Sequence, residues 1–421
     1  MSPHAPAISV IIPTHNRRDS VCRTLAALSR QTIDPAEFEV IVIADGCVDD
    51  TATVLRSRHY PFQFQLIEQP GQGQGKARNT GAEAARGELL VFLDDDIEPF
   101  PVMLAAYREY HHAWPGRLVL GPAYPVLREE DSLFSHGLRN WWNDHIRSVT
   151  HPAHRFTYRD MHSGNFSISA ARFAEARGFD PEFFGRSGED YEFGMRLLAL
   201  GVPFGIAPGA SAHHHDGTNL ARSLVRVRME GRADVLIGVR HPELRGTGGL
   251  AGFRSPRSGW IRLLRNLAFT HPRMGDALAR LLQLALQPLE NVRARSTWRK
   301  VHGAIRSYWY CRGAAEELAA SADSAPLDRF LDGVSSNPAQ LEPVELDGGL
   351  AEAMRVVDER RPRGVQVRLS RVPLGEIPHI PGAESLRGPH LAAFLEGDAA
   401  YRTLVAMALK RLGHNGPRRS L

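Results

Sequence analysis

The chain has 421 residues, of which 43% are hydrophobic, and its net charge is +4. This length exceeds what one ordinary hydrophobic core can organise, so two or three domains are expected. No stretch approaches the roughly 20 apolar residues that span a bilayer, and residues 1–7 lack the charged and apolar regions of a signal peptide. A soluble or peripheral protein is predicted. The sequence has neither the cysteine and histidine spacing of a zinc finger nor a basic motif with interleaved aromatic residues. Both absences argue against nucleic acid as a partner.

The cysteines give an expectation about the cellular compartment. Cys22, Cys47 and Cys311 are the only cysteines, and three of them cannot all pair. Their spacing does not suit a metal site. Buried thiols in a reducing cytoplasm are the simplest account, so the sequence predicts no disulfide and a cytoplasmic location.

Predicted strands and helices alternate through the first part of the chain. The β-branched run Ile8–Ile12 stops at Pro13, and a helix follows. The runs at 39–44 and 62–67 repeat this pattern, and the second of them precedes a glycine-rich stretch and a helix over 76–86. Strands that alternate with helices predict a parallel, doubly wound sheet.

Three consecutive aspartates, Asp94, Asp95 and Asp96, follow the apolar run Leu89–Leu93. A continuous apolar run is typical of a strand buried on both faces, and open α/β sheets bind ligands at the carboxyl ends of such strands. Neighbouring carboxylates repel one another, and a bound cation would remove that repulsion. Hard oxygen ligands suit Mg²⁺ or Mn²⁺, with water and substrate phosphates completing the shell. The alternative is a solvated acidic turn that caps the next helix.

The stretch 71–75 alternates glycine with glutamine. It fits neither a P-loop, which needs glycine where Pro70 stands, nor the dinucleotide fingerprint, which needs glycine where Lys76 or Arg78 stands. Lys76, Arg78 and Asn79 begin the following helix, so these side chains and the helix N-terminus would face a pyrophosphate. A plain solvated loop with a helix cap is the alternative.

Four motifs stand in order along the N-terminal half of the chain. They are Ser-Val-Ile-Ile-Pro-Thr-His-Asn-Arg at 9–17, Ile-Ala-Asp-Gly at 43–46, Gly-Lys-Ala-Arg-Asn-Thr-Gly at 75–81 and Phe-Leu-Asp-Asp-Asp at 92–96. In this order they resemble the family 2 inverting glycosyltransferases. The resemblance implies an α/β catalytic domain of the GT-A fold, Rossmann-like with a mixed and mainly parallel sheet, over residues 1–240, followed by a mostly helical C-terminal extension.

The same resemblance, with the position of the glycine-rich loop, implies roles on the donor side. The expected nucleotide-binding residues are Pro13, Thr14, Asn16, Asp45, Lys76, Arg78, Asp94 and Asp95. Among them, Asp45 would hydrogen-bond the base, Arg78 would lie by the base or phosphates, and Asp94 would lie nearer the ribose. Asp96 would be the first ligand of a Mn²⁺ or Mg²⁺ cofactor.

Two further stretches resemble the family pattern. Ser163–Ile168 is similar to the strand beneath the donor sugar, so Gly164 and Asn165 are expected to contact the donor sugar or the acceptor. Glu189 and Asp190 open an amphipathic helix, and the resemblance implies that Asp190 is the general base with Glu189 beside it. The alternative is a pair of carboxylates that only stabilise the helix N-terminus through its dipole.

Aromatic and imidazole side chains supply the remaining candidates. Trp141 and Trp142 are either a platform on which the acceptor sugar stacks or part of a core. In a strand, at most two of the consecutive histidines 213–215 can point the same way. Counting from Pro208 against the family pattern makes His214 a metal ligand, although a register shift of one residue stays open.

Beyond about residue 240 the resemblance ends. The segment 254–312 carries 12 basic and 2 acidic residues, a net charge of +10, and leucines at helical spacing occupy 278–289. Either this segment lies on an anionic membrane surface, or the leucines pack in a core beneath a solvated basic face. Residues 241–320 are therefore predicted to be a basic amphipathic helical region. Residues 321–421 are predicted to be a linker and a small unit of unassigned function.

Together these patterns predict a metal-dependent inverting glycosyltransferase. It would move a sugar from a nucleoside-diphosphate donor, a UDP-sugar by preference, to a hydroxyl of a saccharide, a lipid-linked or a small-molecule acceptor. It would be cytoplasmic, with peripheral contact at the inner face of the membrane. A sugar nucleotidyltransferase, which would release pyrophosphate and would not need Asp190, is one alternative. A non-catalytic saccharide-binding protein is the other.

Overall fold

A mixed seven-stranded sheet organises the N-terminal half of the molecule. The computed structural model describes residues 6–126, 132–184, 186–252, 259–321, 327–332 and 341–397, together with 400, 403 and 407. The elements of this half are, in chain order, β1 (Ile8–Thr14), α1 (Arg18–Leu28), β2 (Phe38–Asp45), α2 (Thr51–Ser57), β3 (Gln63–Gln69), α3 (Gln74–Ala84), β4 (Leu89–Leu93), β5 (Ile97–Pro99), α4 (Met103–Ala113), β6 (Leu118–Leu120), β7 (Ala123–Pro125), α5 (Leu133–Val149), β8 (Asn165–Ser169), α6 (Ala170–Glu175), α7 (Glu189–Ala199), β9 (Phe204–Ile206) and β10 (Ala212–His214). Short 3₁₀ turns lie at Pro35–Glu37, Tyr158–Asp160 and Pro181–Phe183.

The strand order in the main sheet is β3-β2-β1-β4-β8-β6-β9. The pairs β1–β2, β2–β3, β1–β4 and β6–β9 are parallel, as the alternation of strands and helices predicts. β8 runs antiparallel to both β4 and β6, which makes the sheet mixed. The α/β, mainly parallel fold class implied by the resemblance is confirmed, whereas a purely parallel doubly wound sheet is wrong on the β8 side.

The central strands are buried on both faces because helices cover the sheet on each side. Every residue of β1 and of β2 is buried. Val10 and Ile12 pack into one hydrophobic cluster, whereas Ile11 packs into another on the opposite face. Continuous burial explains why these strands read as unbroken apolar runs rather than as alternating ones. Parallel pairing also brings the carboxyl ends of β1, β2 and β4 to one edge, where Thr14, Asp45 and the aspartate triplet emerge.

A bundle of helices follows the sheet. Its members are α8 (Leu220–Arg240), α9 (Gly248–Ala251), α10 (Gly259–Thr270), α11 (Pro272–Leu284), α12 (Leu286–Asn291), α13 (Arg295–Ala320) and α14 (Leu327–Asp332), with a 3₁₀ turn at Pro242–Leu244. α8 packs along α13, and Gly313 allows this close approach because a Cβ there would lie 1.8 Å from the carbonyl oxygen of Arg228. Leu224 of α8 and Phe134 of α5 share one core with α10 to α13. The helical region therefore packs against the N-terminal half of the molecule.

The leucines predicted at 278–289 divide between a core and the surface. Leu282, Leu286 and Leu289 pack against the helical core. Leu278 and Leu281, however, remain 38% and 63% exposed. Packing in a core therefore holds for part of the segment, and contact with an anionic membrane surface stays a prediction.

A small α/β unit ends the described part of the chain. It comprises β11 (Glu342–Glu345), α15 (Leu350–Arg360), β12 (Val365–Leu369), β13 (Val372–Ile377) and α16 (Gly388–Glu396), with its own core. Most of the linker predicted before it lies outside the described residues. Cys22 and Cys47 are free thiols, and Cys311 is buried in the helical region. In the part of the chain that the structure describes, no helix combines the length and the apolar character needed to cross a membrane.

Candidate functional site

A large cavity of about 1230 Å³ opens at the carboxyl edge of the main sheet. Its walls come from the ends of β1 and β4, from α5 and α7, and from α8 and α13. Ten of the residues singled out in the sequence line it: Asn16, Asp94, Asp96, Trp141, Trp142, Gly164, Asn165, Glu189, Asp190 and His214. The others, Pro13, Thr14, Asp45, Lys76, Arg78 and Asp95, stand behind its surface or beside it.

Asp95 is the innermost aspartate of the triplet. Its carboxylate accepts a hydrogen bond of 2.7 Å from the Thr14 hydroxyl and one of 2.7 Å from Arg17 Nη1. Burial raises the pKa of Asp95 to about 7, although Arg17 opposes this shift. Thr14 and Asp95 therefore form a buried support beneath the neighbouring carboxylates.

Arg17 was not singled out in the sequence, although it ends the first motif. Its second nitrogen, Nη2, lies 2.8 Å from Asp96 Oδ2, so one guanidinium spans two of the three aspartates. A planar fork that binds two carboxylates at once is a geometry that lysine cannot supply. Arg17 therefore relieves part of the repulsion within the triplet, a role for which the sequence suggested a bound cation.

Asp96 and His214 face one another across the two small strands β5 and β10. His214 pairs with Ile97 in the antiparallel register of these strands, and its Nε2 lies 3.6 Å from Asp96 Oδ1. The other imidazole nitrogen, Nδ1, is buried without a hydrogen-bond partner among the described residues. One carboxylate and one imidazole suit a Mn²⁺ or Mg²⁺ ion that takes its remaining ligands from water and phosphates. No group of three or more metal-ligating side chains exists in the described part of the chain, so any such site has few protein ligands.

The neighbouring histidines point elsewhere. The ring of His213 packs edge-on against Phe100 at 4.8 Å. The ring of His215 contacts Glu98, with 2.7 Å between Nε2 and Oε2. The imidazole of His214 contacts Asp96 of the triplet, and its role as a metal ligand stays a prediction.

Asp94 is tied to the acid pair of α7 through Arg78. The Arg78 side chain is 1% exposed, and its Nη2 donates a 2.6 Å hydrogen bond to Asp94 Oδ1. Its Nη1 lies 3.6 Å from Glu189 Oε1. The guanidinium lies behind the cavity surface, over the ring of Phe179, so its place in this structure is between two acids. The predicted contact of Arg78 with the base or phosphates stays a prediction.

Asp45 holds the glycine-rich loop in place. One carboxylate oxygen accepts hydrogen bonds of 2.8 Å from Gln69 Nε2 and from the Gln72 amide, and the other accepts one of 2.8 Å from the Gly73 amide. Gly73 needs its glycine because its φ is +89° and a Cβ would lie 2.5 Å from the ring of Phe184. Asp45 therefore fixes the backbone of a loop whose residues 70–72 are exposed, and contact of this loop and Lys76 with a pyrophosphate stays a prediction.

Asp190 lies at the start of α7, half-buried and on the cavity wall. Its Oδ1 accepts a 2.9 Å hydrogen bond from the Tyr191 amide. Burial, reinforced by the adjacent charge of Glu189, raises the pKa of Asp190 to about 7. A carboxylate that titrates near neutral pH is suited to accept a proton.

The paired tryptophans belong to an aromatic and imidazole cluster on the cavity wall. Trp142 packs edge-on against His214 at 5.3 Å, and Trp141 stacks on His145 at 5.5 Å. His162 completes the cluster, and burial lowers its pKa to about 3, so its ring is neutral. Trp141 remains 49% exposed. Both tryptophans line the cavity, Trp142 being the less exposed of the two, and stacking of the acceptor sugar on them stays a prediction.

Gly164 and Asn165 lie beside the triplet at the start of β8. The Gly164 carbonyl accepts a 3.0 Å hydrogen bond from the Asp94 amide, and a Cβ there would lie 3.1 Å from Asp94 Oδ2. The Asn165 side chain accepts a hydrogen bond from the Tyr107 hydroxyl and donates one to the Ala210 carbonyl. Its amide thus joins β8 to neighbouring segments, and a contact with the donor sugar stays a prediction.

Part of the chain is similar to a known protein family. Residues 9–171 match the family model described as glycosyl transferase family 2. The match covers this part of the chain alone. It includes the triplet, the glycine loop and β8, whereas Asp190 and His214 lie beyond the matched region.

Two relatives illustrate the extent of the sequence similarity. Validoxylamine A glucosyltransferase of Streptomyces hygroscopicus subsp. limoneus is 34% identical over 229 residues, which cover 48% of this chain and 50% of the relative. Chondroitin synthase of Escherichia coli is 27% identical over 239 residues, which cover 50% of this chain and 34% of the relative. The chain therefore matches half of the first relative's length and about a third of the second's.

Two solved structures are also similar to the chain. The mannosyltransferase PcManGT of Pyrobaculum calidifontis, in complex with GDP-Man and Mn²⁺, is 18% identical, with a TM-score of 0.49 and coverage of 75% of this chain and 88% of that one. S. aureus TarS 1-349, in complex with UDP, is 17% identical, with a TM-score of 0.42 and coverage of 74% and 91%.

Proposed function

We propose that this protein is a metal-dependent inverting glycosyltransferase that uses a nucleoside-diphosphate sugar, with a UDP-sugar as the preferred donor. One observation carries the proposal: Asp94 and Asp96 of the triplet, His214 and Asp190 line the same cavity, which adjoins the region that matches the family 2 model. The names of the relatives, a glucosyltransferase and a polysaccharide synthase, support the reaction class. The acceptor would be a saccharide, a lipid-linked or a small-molecule hydroxyl compound.

The donor would bind along the carboxyl edge of the sheet. Pro13, Thr14, Asn16 and Asp45 would surround the nucleoside, and Lys76 with the ordered glycine loop would lie along the diphosphate. Asp94 and Asp95 would face the nucleotide sugar, with Arg78 behind them. Gly164, Asn165, Trp141 and Trp142 would contact the donor sugar and the acceptor.

The chemistry follows from where charge develops. Asp96 and His214 would hold Mn²⁺ or Mg²⁺, which would supply positive charge against the leaving diphosphate. Asp190 would accept the proton of the acceptor hydroxyl while that oxygen attacks the anomeric carbon and the bond to the diphosphate oxygen breaks. Glu189 would hold Arg78 and keep the pKa of Asp190 raised. A single displacement on the face opposite to the leaving group inverts the anomeric centre.

A panel of nucleotide sugars tests this proposal. Thermal unfolding would be measured with each donor, in Mn²⁺ and in chelator, because a ligand that binds only the folded state at a hundredfold excess over its Kd stabilises by about 2.7 kcal/mol. We expect one donor, a UDP-sugar, to raise the melting temperature in Mn²⁺ only. Donor hydrolysis without acceptor would then report turnover. Stabilisation by nucleoside triphosphate with release of pyrophosphate would instead identify a nucleotidyltransferase, and no stabilisation by any nucleotide would contradict the proposal.

We also propose peripheral contact of a cytoplasmic enzyme with an anionic membrane surface through the helical region. Exposed apolar side chains project from α10 and α11, among them Leu263 (61% exposed), Leu281 (63%) and Leu284 (73%). Arg262, Arg273 and Arg280 of these two helices are exposed as well, whereas Arg265 is buried. Apolar and basic groups on neighbouring helices fit the boundary between lipid headgroups and acyl chains.

Vesicle co-sedimentation tests the membrane contact. The protein should sediment with anionic vesicles at low salt and be released as salt rises, because each basic residue near the surface contributes about 1 kcal/mol that salt screens. Leu281→Ser with Leu284→Ser should reduce binding severalfold. Val225→Ser, at a 60% exposed apolar position on α8, is the matched control. Absence of binding at low salt, or equal loss in the control, would contradict the hypothesis.

A further inference from the structure

Five arginines from two helices line the cavity on its helical side. They are Arg222 and Arg226 of α8 and Arg295, Arg299 and Arg306 of α13, and together they are called the arginine wall. The α13 members stand four and seven residues apart, a spacing that places them along one face of a helix. All five are exposed in the cavity rather than packed in the core.

The arginine wall differs from the other arginines of α8 in its ion pairing. On α8, Arg228 pairs with Glu316, and Arg232 Nε lies 3.1 Å from Glu317 Oε2, so both join α8 to α13. No member of the arginine wall lies within 4.0 Å of a carboxylate in the described part of the chain. Glu230 is the one acid that these two helices contribute to the cavity lining. Carboxylates thus offset the positive charge of the arginines that join the two helices. The positive charge of the arginine wall is offset less, because none of its members has a carboxylate within 4.0 Å among the described residues.

Unpartnered polar groups accompany the wall. Trp298 is 4% exposed, lines the cavity, and has an indole N–H without a hydrogen-bond partner among the described residues. His302, one turn further along α13, likewise has a buried Nε2 without a partner there. A buried N–H left without an acceptor costs free energy, and an anion that accepts from it would recover that loss.

The acids and the arginine wall reach the cavity from different elements. Asp94, Asp96, Glu189 and Asp190 come from the end of β4 and the start of α7, whereas the arginine wall comes from α8 and α13. The proposed diphosphate and its cation would lie beside these acids. A second anionic group would be repelled there and attracted to the wall, since opposite charges attract more strongly in a cavity with low-dielectric walls.

We infer that the arginine wall binds a phosphate group carried by the acceptor, so that the acceptor is a phosphorylated saccharide rather than a neutral one. This inference rests on the proposed function. It concerns helices outside the region that matches the family model. Arg226 also lines a recess of about 250 Å³ beside Gln74 and Glu189, so it is close to the donor side. The α13 arginines do not line that recess, and they provide the test.

The test is calorimetric titration of the full chain, saturated with Mn²⁺ and the nucleotide that the donor panel selects. Glucose 6-phosphate is compared with glucose, and a polyprenyl-diphosphate-linked sugar in uncharged vesicles is compared with the same vesicles containing polyprenol. We expect one phosphorylated probe to bind at least tenfold more tightly than its neutral partner, with the difference falling as salt rises. A difference in affinity between glucose 6-phosphate and glucose would identify the phosphate of a soluble saccharide. A difference between the two vesicle probes would identify the phosphate of a lipid-linked sugar.

Arg295→Gln, Arg299→Gln and Arg306→Gln combined should remove the preference and leave nucleotide affinity unchanged. Arg23→Gln, Arg58→Gln and Arg360→Gln combined remove the same charge from exposed positions outside the cavity and should keep it. If the triple variant does not fold, Arg299→Gln alone should still weaken the phosphorylated probe severalfold. Equal affinity for phosphorylated and neutral probes, or a loss of nucleotide affinity in the folded variant, would overturn the inference. Failure of the unmodified protein to bind any nucleotide would overturn the proposed function instead.

Discussion

Replacing Asp190 with asparagine should lower the turnover number by about 10²–10⁴-fold, because a positioned general base contributes on that scale. Asparagine keeps the shape of the side chain and can still accept from the Tyr191 amide, which contacts Oδ1 at 2.9 Å. Donor affinity should therefore change little. Steady-state kinetics at saturating donor and acceptor, combined with donor titration, measure the two quantities separately.

The pH dependence gives the same prediction an independent readout. Burial raises the pKa of Asp190 to about 7, and a base works only in its deprotonated form, so kcat/KM should rise with pH through about 7. The Asp190→Asn variant should lose this dependence. Glu189→Gln is the control: it should cost less and shift the rise to lower pH, because it removes the neighbouring negative charge. If Asp190→Asn keeps near wild-type turnover, another carboxylate is the base, and Glu189 or Glu192 would be tested next.

Replacing Asp96 with alanine should abolish the metal-dependent part of nucleotide binding. Without a cation, the triplet would oppose the diphosphate with like charge, and Arg17 already engages Asp95 and Asp96. Calorimetry of UDP binding in Mn²⁺ and in chelator gives the measurement. Wild-type protein should bind only weakly in chelator, whereas the Asp96→Ala variant should bind equally weakly in both.

The histidines provide matched controls for the metal. His214→Ala should weaken Mn²⁺ affinity, because its Nε2 lies 3.6 Å from Asp96 Oδ1. His213→Ala should matter less, since that ring packs against Phe100 instead. Equally tight diphosphate binding in chelator and in Mn²⁺ would rule out the metal, and a larger effect from His213 than from His214 would contradict the assignment of the ligand.

Local patterns predicted most of the first sheet. Predicted strand and helix limits in this part, such as 39–44 for β2 and 76–86 for α3, agree with the observed Phe38–Asp45 and Gln74–Ala84 to within two residues. They succeed because strands buried on both faces need apolar residues at every position, and helices between them need polar outer faces. The acidic triplet could also be recognised from the sequence, because neighbouring carboxylates directly after a buried strand are unfavourable in free energy without a cationic partner.

The sequence alone determined the order of the elements, the sheet edge at which Thr14, Asp45 and the triplet emerge, and the candidate acids, because each depends on neighbours in the chain. Tertiary structure decided which of these groups meet. Arg17 reaches Asp95 and Asp96 from 78 and 79 residues away, and Arg78 joins Asp94 to Glu189. α13 lies on the cavity only because small residues let it pack along α8. Contacts across such separations depend on packing that no local pattern records, which is why the arginine wall emerged only in the folded molecule.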